Sequence, residues 1–208
     1  MGEMKTAVKN RSDIDDAELI GTWLNSGYLS LAEVARIPAV VDISITADGL
    51  GELPSDLIAI DAVKLKTINS VAVDKGENML DPISEYEIDD AGGTPTNYVR
   101  TIGKDTDSND VHMLRLYPKS SHTVVATLTY FKYPAKMTGD TSSPSAYIPE
   151  RYHEAIESYG IARAKEADEE YNESQHFMSQ FEYAKEQLRR ERMRIAARPR
   201  TVRARLYR

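Results

Sequence analysis

The chain has 208 residues, of which 41% are hydrophobic and 28% charged, which is the composition of an ordinary globular protein of one or two domains. It contains no cysteine, which excludes disulfides, thiol nucleophiles and cysteine-ligated metal sites. No apolar stretch is long enough to cross a membrane, and no apolar signal region is present at the N-terminus, so we expect neither a membrane protein nor an exported one.

The net charge of −7 is unevenly distributed along the chain. Residues 189–208, called the basic segment below, carry nine arginines, no lysine and one glutamate, which gives +8. The remainder carries 17 basic and 32 acidic side chains, which gives −15. An acidic body with a basic appendage is typical of a protein that docks through that appendage. The alternative is a solvated tail without a partner.

Residues 6–36 have a helical pattern of apolar residues, which includes the single tryptophan, Trp23. The aspartates near residues 13–16 are candidate helix caps, and Pro38 is expected to end the helical region. This segment therefore predicts N-terminal helices, with Trp23 in their core.

Residues 38–134 have the pattern of a β-rich insert. Val41, Ile43 and Ile45 alternate with polar residues, and Asp48-Gly49 is a typical turn pair. Further short strands are predicted at 57–65, 71–74, 84–88, 98–102, 113–117 and 123–133. Short strands at this spacing favour a small antiparallel sandwich or barrel.

The C-terminal third predicts a pair of amphipathic helices. Pro149 is suited to the first helical position, and apolar residues then recur at helical spacing as far as Leu188. The polar residues 165–172 are expected to form the turn between the two helices. Pro199 stops any further helix.

Together these patterns predict an α+β protein in which N- and C-terminal helices pack as a bundle and the residues between them form a β insert. The expected parts are residues 1–37 and 135–188 for the bundle, 38–134 for the insert, and 189–208 for an extended, Arg-rich tail.

Catalytic and metal-binding motifs are weak. Glu150/His153 and Glu173/His176 share the Glu-x-x-His spacing of di-iron helix bundles, but a turn near residue 170 would leave the two histidines at levels about 16 Å apart. No nucleophile elbow and no phosphate-binding glycine loop is present. We therefore expect no enzyme, and no catalytic, cofactor or metal site.

The basic segment is the strongest chemical signal. Guanidinium groups form planar, bidentate pairs with carboxylates or phosphates. A nucleic-acid reader should also have a basic folded face, and the body is acidic, so the charge pattern favours an acidic protein partner over DNA. The candidate partner-binding residues are Arg189, Arg190, Arg192, Arg194, Arg198, Arg200, Arg203, Arg205 and Arg208. A nucleic-acid-binding protein acting through the same arginines remains the alternative.

The order of several short motifs resembles the head–tail adaptor (connector) proteins of tailed bacteriophages. The resemblance runs from about residue 14 to 190, with the basic segment beyond it. Its residues are the helix around Ile20–Leu31, Leu53-Pro54-Ser55-Asp56, Gly93-Thr94-Pro95, Leu116-Tyr117-Pro118, Leu128–Pro134 and Ile148–His153.

This resemblance implies a non-enzymatic structural protein of the virion neck, made in the host cytoplasm. It implies a ring, normally dodecameric, that docks beneath the portal protein, extends the DNA channel and provides an attachment surface for tail, nozzle or tail-completion proteins. DNA would pass without specific binding. The helices would build the ring, the β insert would face outward or toward the tail, and the basic segment would be the portal anchor. Another tail-completion protein of the virion is a further alternative.

Overall fold

The computed structural model describes residues 1–73, 78–83, 92–104 and 109–196. It contains four α-helices and eight strands in these ranges, which confirms the α+β class. The helices are α1 (Gly2–Lys9), α2 (Ala17–Ala35), α3 (His153–Ala167) and α4 (Tyr171–Ala196). The strands are β1 (Ile37–Ile45), β2 (Leu50–Glu52), β3 (Leu57–Ile68), β4 (Val71–Ala72), β5 (Met79–Pro82), β6 (Asn97–Lys104), β7 (Asp110–Tyr117) and β8 (Val124–Lys132).

The chain divides into two compact units. One consists of residues 1–37 together with the chain from residue 134 onward, and the other of residues 38–133. The helical unit has its own core, which contains side chains from all four helices. The β unit has a separate core built from the inward-facing residues of its strands.

The N-terminal region contains two helices, and the helical pattern predicted over residues 6–36 is interrupted between them. Residues 10–16 separate α1 from α2, and the carboxylate of Asp16 caps α2 by accepting from the backbone N–H groups of Glu18 at 2.9 Å and Leu19 at 3.1 Å. α2 ends at Ala35 because Arg36 adopts a left-handed conformation, with φ of 52°. Trp23 is partly buried and packs against the core, as predicted.

α3 and α4 follow a short 3-10 helix, Glu150–Tyr152, whose N-cap is Pro149. The turn between them is shorter than predicted, since residues 165–167 still belong to α3. The two helices meet in an edge-to-face contact of Tyr159 with the fully buried Phe181, whose ring centroids are 4.9 Å apart.

The prediction of an extended tail from residue 189 is wrong for its first eight residues. α4 continues without a break to Ala196, so residues 189–196 are helical. Arginine is a good helix former and a cation is favoured near a helix C-terminus, which is why loss of the apolar stripe does not end the helix. Residues 197–208 lie outside the described residues.

The β unit is one barrel-like sheet with the path β1-β8-β3-β5-β6-β7-β2, and β4 pairs with β3 off this path. A tight turn at Asp48-Gly49 joins β1 to β2, so the two ends of the path meet and the sheet is nearly closed. Gly51 of β2 lies so close to β1 that a Cβ there would come within 2.7 Å of Ile45 Cγ1.

The predicted antiparallel sheet is wrong in one pairing, since β5 and β6 run parallel. The sequence also gives no signal for β2 and β5, which have three and four residues. Strands this short show no periodicity of their own and form only because a partner strand is present. The strand predicted at 84–88 lies outside the described residues.

Two glycines of α2 provide a test of how closely the helices pack. A Cβ at Gly27 would lie 2.9 Å from the Cβ of Tyr159 in α3, whereas a Cβ at Gly21 would lie 3.1 Å from the flexible end of Met1. Replacing a helical glycine by alanine gains about 1 kcal/mol in helix propensity. Overpacking against a rigid neighbour costs about 1–3 kcal/mol.

We predict that Gly27→Ala lowers the free energy of unfolding, because the clash with Tyr159 exceeds the propensity gain. The matched change Gly21→Ala should raise it. Denaturant unfolding followed by circular dichroism measures both variants. Equal stability of the two variants would contradict the close packing of α2 against α3.

Candidate interaction surface at the C-terminal end of the last helix

The last turns of α4 begin from a buried anchor and then become strongly charged. Leu188 is fully buried in the helical core, and the next residues turn toward solvent. The carboxylate of Glu186, one turn before Arg189 and Arg190, accepts hydrogen bonds from Arg189 at 2.8 Å and from Arg190 at 3.1 Å. Such pairs three and four residues apart stabilise an exposed helix surface modestly.

Glu191, the only acid in the basic segment, binds residues outside α4. Both of its carboxylate oxygens accept from Nη2 of Arg151, which lies in the 3-10 helix before α3. The hydroxyl of Tyr152 donates to the same carboxylate at 3.0 Å. The guanidinium of Arg151 also stacks over the Tyr152 ring, 5.1 Å from its centroid. These contacts attach the end of α4 to residues 151–152.

The ion pair shifts the pKa values of both Glu191 and Arg151. The hydrogen bond from Arg151 lowers the pKa of Glu191 below its usual range, and the Tyr152 hydroxyl acts in the same direction. The pKa of Arg151 is raised, mainly by Glu191. Glu191 is therefore ionised at neutral pH and available to hold the helix end in place.

A second attachment comes from Arg192, whose Nη2 donates to the backbone carbonyl of Tyr147. Arg194 is exposed and makes no hydrogen bond or ion pair with the described part of the chain. A shallow cavity of about 510 Å³ lies beside these groups and is lined by Tyr152, Gln187, Arg190, Glu191 and Arg194. Because its lining contains two arginines and one carboxylate, this cavity can contact both acidic and basic groups of a partner.

The nine arginines predicted to bind a partner therefore differ in their structural position. Three of the four that the structure describes, Arg189, Arg190 and Arg192, make contacts within their own chain. Arg194 is exposed, and the remaining five lie outside the described residues. The sequence analysis did not identify the contacts of Glu191 with Arg151 and Tyr152. The one available signal was Glu191 itself, the single acidic residue in a run of arginines.

The histidines of the two Glu-x-x-His motifs have different contacts. His153 Nε2 lies 3.1 Å from the carbonyl oxygen of Ile148, and His176 contacts the side chain of Gln180. Within the described ranges, no group of three or more His, Asp or Glu side chains is arranged to hold a metal ion. None of the helices in those ranges has the length and apolar character required to cross a bilayer.

Comparison with known families identifies the family to which the chain belongs. The model of the SU10 adaptor protein family matches residues 1–205, and the chain belongs to that family. This confirms the resemblance to phage head–tail adaptors. The match reaches residue 205, so the expectation that the basic segment lies beyond the matched region is wrong. No curated protein sequence matches the chain.

The ion pair at the helix end provides a direct test of this arrangement. We predict that Arg151→Gln raises the pKa of Glu191 toward the usual glutamate range, because its main hydrogen-bond donor is lost. Since the folded-state pKa of Glu191 is lowered, its stabilising effect is complete above the unfolded-state pKa. That effect disappears as the pH falls through the folded-state pKa.

An NMR titration of the Glu191 carboxyl carbon measures this shift. The control is Arg163→Gln, which removes an exposed ion pair with Glu166 in α3 and should leave Glu191 unchanged. An identical Glu191 titration in the Arg151 variant and in the unmodified chain would refute the proposed attachment of α4.

Proposed function

We propose that this protein is a structural component of the virion neck that forms a ring, of twelve copies, beneath the portal protein. The ring extends the DNA channel and presents the surface to which tail, nozzle or tail-completion proteins attach. Membership of an adaptor family over residues 1–205 is the observation that supports this proposal most directly. The protein acts without catalysis and without a cofactor.

The charge distribution supports the same role. A channel through which DNA passes should not bind phosphates tightly, and a body of net charge −15 repels them. The positive charge is instead concentrated in residues 189–208, at one end of the chain. An adaptor needs this separation, since one part must grip a protein partner while another lets DNA slide past.

We propose that the portal contact is made by the basic segment, and that its arginines have two roles. Arg189 and Arg190 pair with Glu186 within α4, and Arg192 holds the end of α4 against the backbone of Tyr147. Arg194 and the five arginines after Ala196 bind the partner. The helical part then serves as a rigid base that fixes where the anchor starts, which reduces the entropy lost on binding.

The partner surface should be acidic and rich in carboxylates. Guanidinium groups pair with carboxylates through two parallel hydrogen bonds, and a lysine offers only a single point charge. Replacement of arginine by lysine therefore separates bidentate recognition from simple charge attraction.

The test compares portal binding by four chains: the full chain, a chain ending at Ala196, and two variants in which the five arginines after Ala196 become lysine or glutamine. The truncation retains all of α4, so loss of binding cannot be attributed to a damaged helix. We expect strong binding by the full chain, weaker binding by the lysine variant, and at least tenfold weaker binding by the glutamine variant and the truncation.

DNA binding by the same four chains tests the alternative that the arginines bind nucleic acid. Several phosphate contacts would give a steep fall in affinity with rising salt concentration. Salt-sensitive DNA binding that depends on the five arginines, without portal binding, would overturn the adaptor proposal and support the alternative.

A further inference from the structure

A groove of about 710 Å³ lies in the helical unit between α1, the segment 143–150 and the start of α3. Its apolar lining includes Met4 and Ile148, which are almost fully buried, together with Pro144 and Pro149. A concave surface of this size with apolar walls fits a short peptide segment.

The carboxylates of Glu3, Glu150 and Glu157 make the polar lining of the groove mainly acidic. The lining also contains Ser143, His153 and Met1, whose N-terminal ammonium donates to the carbonyl of Ser142. Burial raises the pKa of Glu157, and the negative charges of Glu154 and Glu3 raise it further, although Arg11 and His153 act in the opposite direction. An added cation would relieve this repulsion, so the groove is suited to a positively charged occupant.

The C-terminal end of α4 lies next to this groove. Arg192 donates to the carbonyl of Tyr147, whose two neighbours along the chain, Ala146 and Ile148, both line the groove. Glu191 binds Arg151, which directly follows Glu150 of the groove lining. These contacts place the last described turns of α4 against residues 147 and 151, which directly adjoin residues of the groove lining.

The remaining chain is long enough and has the right charge to enter it. Twelve residues follow Ala196, with five arginines and no acid among them. At about 3.3 Å per residue they can extend roughly 40 Å. They also contain Val202, Leu206 and Tyr207, which are suited to contact apolar walls.

We propose that in the free subunit residues 197–208 bind in the groove of their own chain. Arginines of this segment pair with Glu3, Glu150 and Glu157, and its apolar side chains contact the apolar walls. Because the segment is tethered beside the groove, its effective concentration there is in the millimolar range, so a weak intrinsic affinity is sufficient. This inference concerns the free subunit and does not depend on the identity of any partner.

The absence of cysteine allows a direct test by crosslinking. Ser143, an exposed residue of the groove lining, and Ala204 are both replaced by cysteine in the full chain. A short bis-maleimide reagent then joins the two thiols only when they lie close together. The control pairs Ala204→Cys with Tyr183→Cys, an exposed position in α4 about 20 Å before Ala196 and so within reach, and reports random encounters of the segment with the surface.

We expect the Ser143/Ala204 chain to form an intramolecular crosslink at least fivefold faster than the control at low salt. At 1 M salt the rates should converge, because the screening length falls to about 3 Å. Replacing Glu3, Glu150 and Glu157 together by glutamine should reduce the rate to that of the control. Glu182→Gln on α4 is the matched charge change and should have no effect.

Two results would overturn the inference. Crosslinked dimers in place of intramolecular products would show that the segment binds a second copy. Equal rates for the Ser143 and Tyr183 chains at low salt would show that the groove does not hold it. Neither result bears on the adaptor proposal, because portal binding is measured in a separate experiment.

Discussion

The amide side chain of Asn25 forms two hydrogen bonds with the backbone of Met137, accepting from its N–H at 2.7 Å and donating to its carbonyl at 3.0 Å. The hydroxyl of Tyr28, one turn later in α2, accepts from the N–H of Ser145 at 3.0 Å. These bonds fix the course of the chain where it returns to the helical unit after the β unit. Residues 147–152 follow directly, and they are the residues to which the end of α4 is attached through Arg192 and Glu191. The position from which the basic segment leaves the helical unit thus depends on polar contacts of α2.

The helical unit combines a fixed base with a charged extension. The base is built from buried side chains and from the Arg151–Glu191 ion pair, in which the pKa of Glu191 is lowered by its hydrogen bond to Arg151. The extension carries its positive charge at one end of the sequence. If the groove holds the segment in the free subunit and the portal binds the same segment, as we propose, the two interactions compete and the affinity for portal protein is reduced accordingly. That competition would keep single copies from binding other acidic surfaces before assembly.

Much of the fold could be predicted from local patterns, because the long elements carry clear periodicity. The apolar repeat predicts α2, and the alternation in β1 and the β-branched run in β8 predict their strands. The pattern failed where tertiary partners decide the structure. β2 and β5 are too short to show a period, and the parallel pairing of β5 with β6 is a long-range property. Glu191 pairs with Arg151, forty residues earlier, and the spacing of residues along the chain does not reveal that contact. Nor does it reveal that α1 and residues 143–157 line the same groove.

The measurement that tests the central claim most directly is an electron cryomicroscopy reconstruction of the protein bound to purified portal protein. We expect a ring of twelve copies on the portal, with density that continues from Ala196 of each copy into contact with acidic residues of the portal. A ring whose density after Ala196 points away from the portal would contradict the proposed anchor. Failure to form any ring on the portal would contradict the proposed function as a whole.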